Sequence, residues 1–143
     1  MPSRTEASID IAALPPAIME VIADLPNYPE WSEGVKAVEV LTRDAAGLPA
    51  TAHFTFDAGL IKDNYDLTYT WNGTHSVSWQ LSNGHVIKSM DGTYTLDIIG
   101  DHTKVSYELA VELTVPMIGV MKRMAEQTII DTALKGLKKR VEG

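Results

Sequence analysis

Alternation of apolar and polar residues runs through most of the chain and gives way to a longer period at its end. Residues 5–12 set Ala7, Ile9 and Ile11 against Glu6, Ser8 and Asp10, the pattern of a half-buried strand. Leu14-Pro15-Pro16 stops it. The apolar spacing of Ile18, Met19, Val21 and Ile22 predicts a helix from about Pro16 that ends before Pro26. Asn27-Tyr28-Pro29-Glu30-Trp31 cannot continue it, and a short second helix or turn is expected through Trp31 to Gly34. Strands follow at 35–43 and 51–57, the latter with Ala52, Phe54 and Phe56 on one face. After a turn at Asp57-Ala58-Gly59, residues 62–71 put Tyr65, Leu67, Tyr69 and Trp71 opposite Asp66, Thr68 and Thr70. Asn72-Gly73 signals a hairpin, Val77, Trp79 and Leu81 mark the next strand, and Asn83-Gly84 turns again. A long strand spans 86–99, with a bulge expected at Asp91-Gly92, after which Tyr94, Leu96 and Ile98 share a face. The last strand is the most regular, with Val105, Tyr107, Leu109, Val111 and Leu113 inward.

A long helix is predicted from Pro116 to Val141, since proline is accommodated at a first helical position and none follows. Met121, Ala125, Ile129, Ala133, Leu137 and Val141 form a ridge at i+4. That step overshoots one turn by about 40°, so the ridge winds around the helix, as suits a helix gripped by a curved sheet. Its early half is methionine-rich, a composition that fills irregular space. Its late half carries Lys135, Lys138, Lys139 and Arg140, which complement the negative end of the helix dipole.

The order is one strand, two short helices, about six strands and one long helix. Consecutive hairpins make the sheet antiparallel, and its outward Thr, Ser, Asp and Glu leave one face to be covered. The expected fold is therefore α+β, a curved antiparallel sheet of about 6–7 strands around the C-terminal helix, in a single domain over residues 1–143.

Charge narrows the partners. A formal net charge of −7 argues against nucleic acid and against an anionic membrane surface. The absence of cysteine removes disulfides, thiolate metal sites and a cysteine nucleophile, and it fits a reducing cytoplasm. No signal peptide is expected ahead of the first strand, and no apolar run approaches the roughly 18 residues of a membrane span.

Candidate chemistry is sparse. His53 lies on an outward strand phase, His75, His85 and His102 lie in or beside turns, and no metal-ligand spacing occurs, so no metal or cofactor is expected. Asp63 and Asp66 sit at opposite strand phase and do not form an acid/base pair. No serine lies in a nucleophile elbow and there is no phosphate loop. The catalytic residues stay unknown. The inward polar supply is tyrosine hydroxyls, with Arg123 or Asn64 as candidates near an opening.

Leu14-Pro15-Pro16 leading into the first helix, Tyr28-Pro29-Glu30-Trp31, and the strand Gly34-Val35-Lys36-Ala37-Val38-Glu39-Val40-Leu41 resemble the START-like, or SRPBCC, superfamily. Within it the chain looks most like the polyketide cyclase/dehydrase and lipid-transport group, which includes coenzyme Q-binding proteins. The resemblance covers essentially the whole chain and implies a helix-grip fold with a deep apolar cavity between sheet and long helix. The aromatic inward set permits such a cavity independently, because buried tyrosines need polar partners that a dry core would not require. The expected wall is Phe54, Phe56, Tyr65, Tyr69, Trp71, Trp79, Tyr94 and Tyr107 from the sheet, with Met117, Met121 and Met124 from the helix. The resemblance also implies a gate where Gly59, Leu60 and Ile61 face Ile118.

Three functions follow from this. The first is binding or transport of a hydrophobic small molecule such as a lipid, quinone or polyketide-like aromatic, and it requires an internal void larger than a few waters. The second is a polyketide aromatase/cyclase or dehydratase, which requires at least two hydrogen-bonded polar side chains deep in the pocket. The third is an interaction module with a closed core and a large exposed apolar patch. A homodimer stays open.

Overall fold

The computed structural model describes residues 4–59, 61–115 and 118–143. Strands β1 (Thr5–Ile11), β2 (Val35–Arg43), β3 (Pro49–Asp57), β4 (Lys62–Asn72), β5 (Ser76–Asn83), β6 (Ile87–Ile99) and β7 (His102–Leu113) form one antiparallel sheet. Their order is β1-β7-β6-β5-β4-β3-β2, so every hairpin pairs neighbours in sequence and only β1 crosses to the far edge. The crossing chain carries helix α1 (Pro15–Ala23) and a 3₁₀ helix (Leu25–Glu30). Helix α2 (Gly119–Glu142) covers the inner face, against β1, β7 and α1. This is the helix-grip arrangement.

The strand alternation follows burial closely. In β4, Asp63, Tyr65, Leu67 and Tyr69 are buried while Lys62, Asn64, Thr68 and Thr70 are exposed. Two features depart from expectation. β6 has no bulge at Asp91-Gly92: Gly92 pairs in register with both Trp79 and Leu109, and the shift lies between Ile87 and Ser89. Glycine is needed at position 92 because the Trp79 ring covers it, and Met90 therefore keeps the inward phase of Tyr94. Ile98, expected inward with Tyr94 and Leu96, is exposed.

In α2 the buried residues are Ala125, Glu126, Ile130, Ala133, Leu134 and Leu137. From Ala125 onward the expected ridge packs on the core, with Ile129 and Val141 partly buried beside Ala125, Ala133 and Leu137, and only Met121 at its start is exposed. The expected start at Pro116 lies outside the described residues, and Ile118 is the N-cap. The rotation of α2 is set at Gly136. A Cβ there would lie 2.0 Å from the Trp31 carbonyl oxygen, so the helix backbone rests on the chain that leaves the 3₁₀ helix. The far end is tied by polar contacts. Lys138 Nζ donates to the Asp10 carbonyl at 2.8 Å, and the Ala12 N–H donates to Glu142 at 2.8 Å.

Glu126 pins the other half. It is 1% exposed, yet both carboxylate oxygens have donors. Oε1 accepts from Thr5 Oγ1 at 2.7 Å, and Oε2 accepts from the Val111 N–H and from Lys122 Nζ, each at 2.7 Å. A buried carboxylate is tolerated when its charge and lone pairs are met in this way. It staples α2 to β1 and β7 together.

Candidate functional site

Between the sheet and α2 lies a cavity whose wall is mostly aromatic. Phe54 and Phe56 of β3, Tyr65 and Tyr69 of β4, Trp79 of β5, Tyr94 of β6 and Tyr107 of β7 all line it. Alternation puts these side chains on one face, and cross-strand pairing makes their rings meet. Phe54 stacks on Tyr65, its β4 partner, at 5.5 Å between ring centres. Tyr94 and Tyr107, partners across β6 and β7, are 4.6 Å apart, and Trp79 meets Tyr107 edge-on at 5.6 Å. Ile129 and Ala133 supply the helix side.

The cavity is narrow. It gives the centre of a water-sized sphere about 60 Å³ in which to move, enough for a few waters. Drug-sized ligands sit in pockets of roughly 300–1,000 Å³. Exposed Glu33 lines it, so it reaches the surface there. A groove of about 320 Å³ lies outside and shares Glu33, Phe56 and Ile129 with it.

Tyrosine hydroxyls supply the cavity's polarity. Tyr28 donates to the Ile22 carbonyl at 2.5 Å. The hydroxyls of Tyr65, Tyr69, Tyr94 and Tyr107 have no protein partner among the described residues. No side-chain oxygen that is sealed from solvent-sized space lacks a partner there, so these four open onto the cavity. Burial pushes all five phenols above their ordinary value. Neighbouring tyrosines add to the effect: Tyr65, Tyr107 and Tyr94 act on Tyr69, and Tyr107 and Tyr28 act on Tyr94. All are neutral at physiological pH and can donate.

Several expected wall and gate residues stand elsewhere. Trp71 stacks on Tyr69 at 5.5 Å and donates from Nε1 to the Pro49 carbonyl at 2.7 Å, without lining the cavity. Met121 and Met124 are 43% and 63% exposed in the first two turns of α2, ahead of its first buried residue, Ala125. Ile118 is 69% exposed and lines neither cavity nor groove. Ile61 is buried in the cavity wall, and Gly59 borders the outer groove. Met117 and Leu60 lie outside the described residues. Arg123 and Asn64 are exposed and line neither space, Asn64 being bonded to Thr55.

The structure adds Tyr28, Ser32, Glu33, Val35, Ile87 and Met90 to the wall. It also gives Asp63 a role. Oδ2 of this buried carboxylate accepts the N–H groups of His85, Val86 and Ile87 at 3.1, 3.0 and 2.9 Å, and Oδ1 accepts that of Asn64. Burial alone would raise its pKa, but the four donors together hold it below the ordinary value. Asp63 thus fixes the turn into β6, where Ile87 joins the cavity wall. On the outer face His53 Nδ1 and Asp66 Oδ1 meet at 2.6 Å as direct cross-strand partners.

Comparison with known proteins agrees with this geometry. Residues 11–138 match the family described as polyketide cyclase / dehydrase and lipid transport. A START superfamily protein from Mycobacterium smegmatis superposes with a TM-score of 0.91 at 20% identity, over 97% of each chain. A protein from Thermus thermophilus does so at 0.82 and 23% identity, over 98% of this chain and 97% of its own. The Zhui aromatase/cyclase from a Streptomyces species reaches 0.84 at 12% identity, over 99% and 94%. No curated protein matches the chain. The chain belongs to the polyketide cyclase / dehydrase and lipid transport family.

Proposed function

We propose that this member of the polyketide cyclase / dehydrase and lipid transport family binds a small apolar molecule bearing carbonyl or hydroxyl oxygen in the cavity beneath α2. The four open hydroxyls of Tyr65, Tyr69, Tyr94 and Tyr107 carry the reading. They give a space otherwise lined by carbon a set of donors, and a ligand oxygen that accepts from one of them would contribute about 0.5–1.5 kcal/mol net. At about 60 Å³ the cavity does not exceed the few waters that binding was expected to need room beyond, so the reading requires its walls to move apart around a ligand. A ring-sized or shorter end would go inside with some widening of the walls, and the rest would extend past Glu33 into the groove.

Carriage is favoured over turnover. A cyclase or dehydratase needs polar side chains that hold one another in place around the reacting atoms. Among the described residues no two cavity-lining side chains hydrogen-bond each other, and the one wall tyrosine with a protein partner is bonded to main chain. The relative named an aromatase/cyclase shares the fold at 12% identity, which does not carry its chemistry here.

A second reading has its own observation. Val115, Ile118, Val120 and Met124 are exposed at and just before the start of α2, as an interaction module would require. Titration with acetophenone, a small aromatic ketone, separates the two. The binding reading expects saturable shifts of the tyrosine ring signals and an affinity about 2–10-fold weaker in Tyr107→Phe, the loss of one hydrogen bond. Shifts confined to the Met124 methyl and its neighbours would instead favour the surface.

A further inference from the structure

We infer that the groove outside the cavity is a head-group subsite that takes an uncharged, hydroxyl-bearing group and disfavours a carboxylate. The inference rests on the cavity-binding reading above and adds the chemistry of the ligand's other end.

The groove is built by three pieces of chain. Glu33, Gly34 and Lys36 come from the start of β2, and Phe56, Asp57, Ala58 and Gly59 from the end of β3 and its turn. Thr128, Ile129 and Thr132 come from the middle of α2. Cavity and groove share Glu33, Phe56 and Ile129, so one phenyl ring, one aliphatic side chain and one carboxylate form the boundary between them. This boundary is braced where the Asp57 N–H donates to the Gly34 carbonyl at 2.8 Å and Phe56 pairs with Val35.

The groove's polar groups are uncommitted. The side chains of Glu33, Lys36, Thr128 and Thr132 have no hydrogen bond or ion pair within the protein, among the described residues. Asp57 spends Oδ1 on the Gly59 N–H at 3.1 Å. Thr128 and Thr132 are one turn apart, so both hydroxyls lie on one side of α2. A ligand hydroxyl both donates and accepts. It can donate to Glu33 while accepting from Lys36 or a threonine. A carboxylate only accepts, and it would face Lys36 beside two like charges, Glu33 and Asp57. An ammonium group only donates and leaves Lys36 unanswered.

Three probes with one body test this: 3-phenylpropan-1-ol, 3-phenylpropanoate and 3-phenylpropylammonium, with propylbenzene as the headless control. Calorimetry on the full chain gives affinities, and tyrosine ring signals report cavity occupancy. The alcohol should bind about tenfold tighter than the carboxylate, a difference of about 1.4 kcal/mol, with the ammonium between them. Glu33→Gln should shrink the gap to about threefold, and Thr132→Val should weaken the alcohol while leaving propylbenzene unchanged. Equal binding of the three heads, tightest binding of a charged head, or a gap that ignores Glu33→Gln overturns the subsite and leaves the cavity reading standing. If no probe, propylbenzene included, moves the tyrosine signals, the cavity reading falls and the subsite falls with it.

Discussion

The indole of Trp79 lies directly on Gly92, its partner across β5 and β6. A Cβ added at Gly92 would sit 2.2 Å from Cε2 of that ring and 2.5 Å from Nε1. The same indole meets Tyr94 at 5.4 Å and Tyr107 at 5.6 Å, so its position sets two of the cavity's tyrosines. Gly92→Ala should displace the ring into the cavity and cost about 1–3 kcal/mol by overpacking. Denaturant unfolding followed by tryptophan fluorescence measures the cost. The variant should also lose acetophenone binding while remaining folded.

The five tyrosines should titrate late and together. Each has a folded-state pKa raised by burial, so the neutral phenols contribute stability that is complete below their ordinary value of about 10 and is lost as pH rises toward the folded values. Spectrophotometric titration should show no phenolate through pH of about 10. Ionisation should then coincide with loss of structure by circular dichroism. An early rise equivalent to even one tyrosine would place that hydroxyl in bulk water.

Asp63 sets the acid side. Its folded pKa is depressed, so its contribution is present above the ordinary 3.8 and is lost as pH falls through the lower folded value. At neutral pH Asp63→Asn should cost about 1–3 kcal/mol, because an amide oxygen replaces a carboxylate as acceptor for three successive N–H groups. The difference from the parent protein should vanish under strongly acidic conditions. Urea unfolding across a pH series reads both numbers.

Glu126 should be the costliest polar position in α2. Glu126→Ala strips the buried Val111 N–H of its acceptor and removes the bond to Thr5, at about 1–3 kcal/mol for the unsatisfied N–H. Glu126→Gln keeps an acceptor for the N–H and should recover part of that. Hydrogen exchange at Val111 should rise in the alanine variant before the rest of β7 is affected.

Much of the fold is legible in the sequence because a strand's period is two and one face is wet. Once Tyr65, Leu67 and Tyr69 alternate with Asp66, Thr68 and Thr70, the inward face follows, and β2 falls at the expected 35–43. The departures are decided by contacts between distant parts. A glycine inside β6 suggests a bulge, and only the Trp79 ring explains it as a close approach, which is why the sequence does not single out Met90. Tyr28 sits in a 3₁₀ helix that has no apolar period to read. In α2, Met121 and Met124 are as apolar as Ile130. Gly136 lets the late half of α2 rest on Trp31, Glu126 is buried by its bonds to β1 and β7, and the methionines lie in the turns ahead of Ala125, where burial begins.

The cavity's occupant is the central claim. Native mass spectrometry of the protein purified from its own source, followed by release and identification of what it holds, tests that claim most directly. The account expects a stoichiometric apolar molecule with at least one carbonyl or hydroxyl oxygen, bound more weakly once Tyr65, Tyr69, Tyr94 and Tyr107 are all replaced by phenylalanine. A protein that emerges empty, and whose tyrosine signals ignore both acetophenone and propylbenzene, would contradict it.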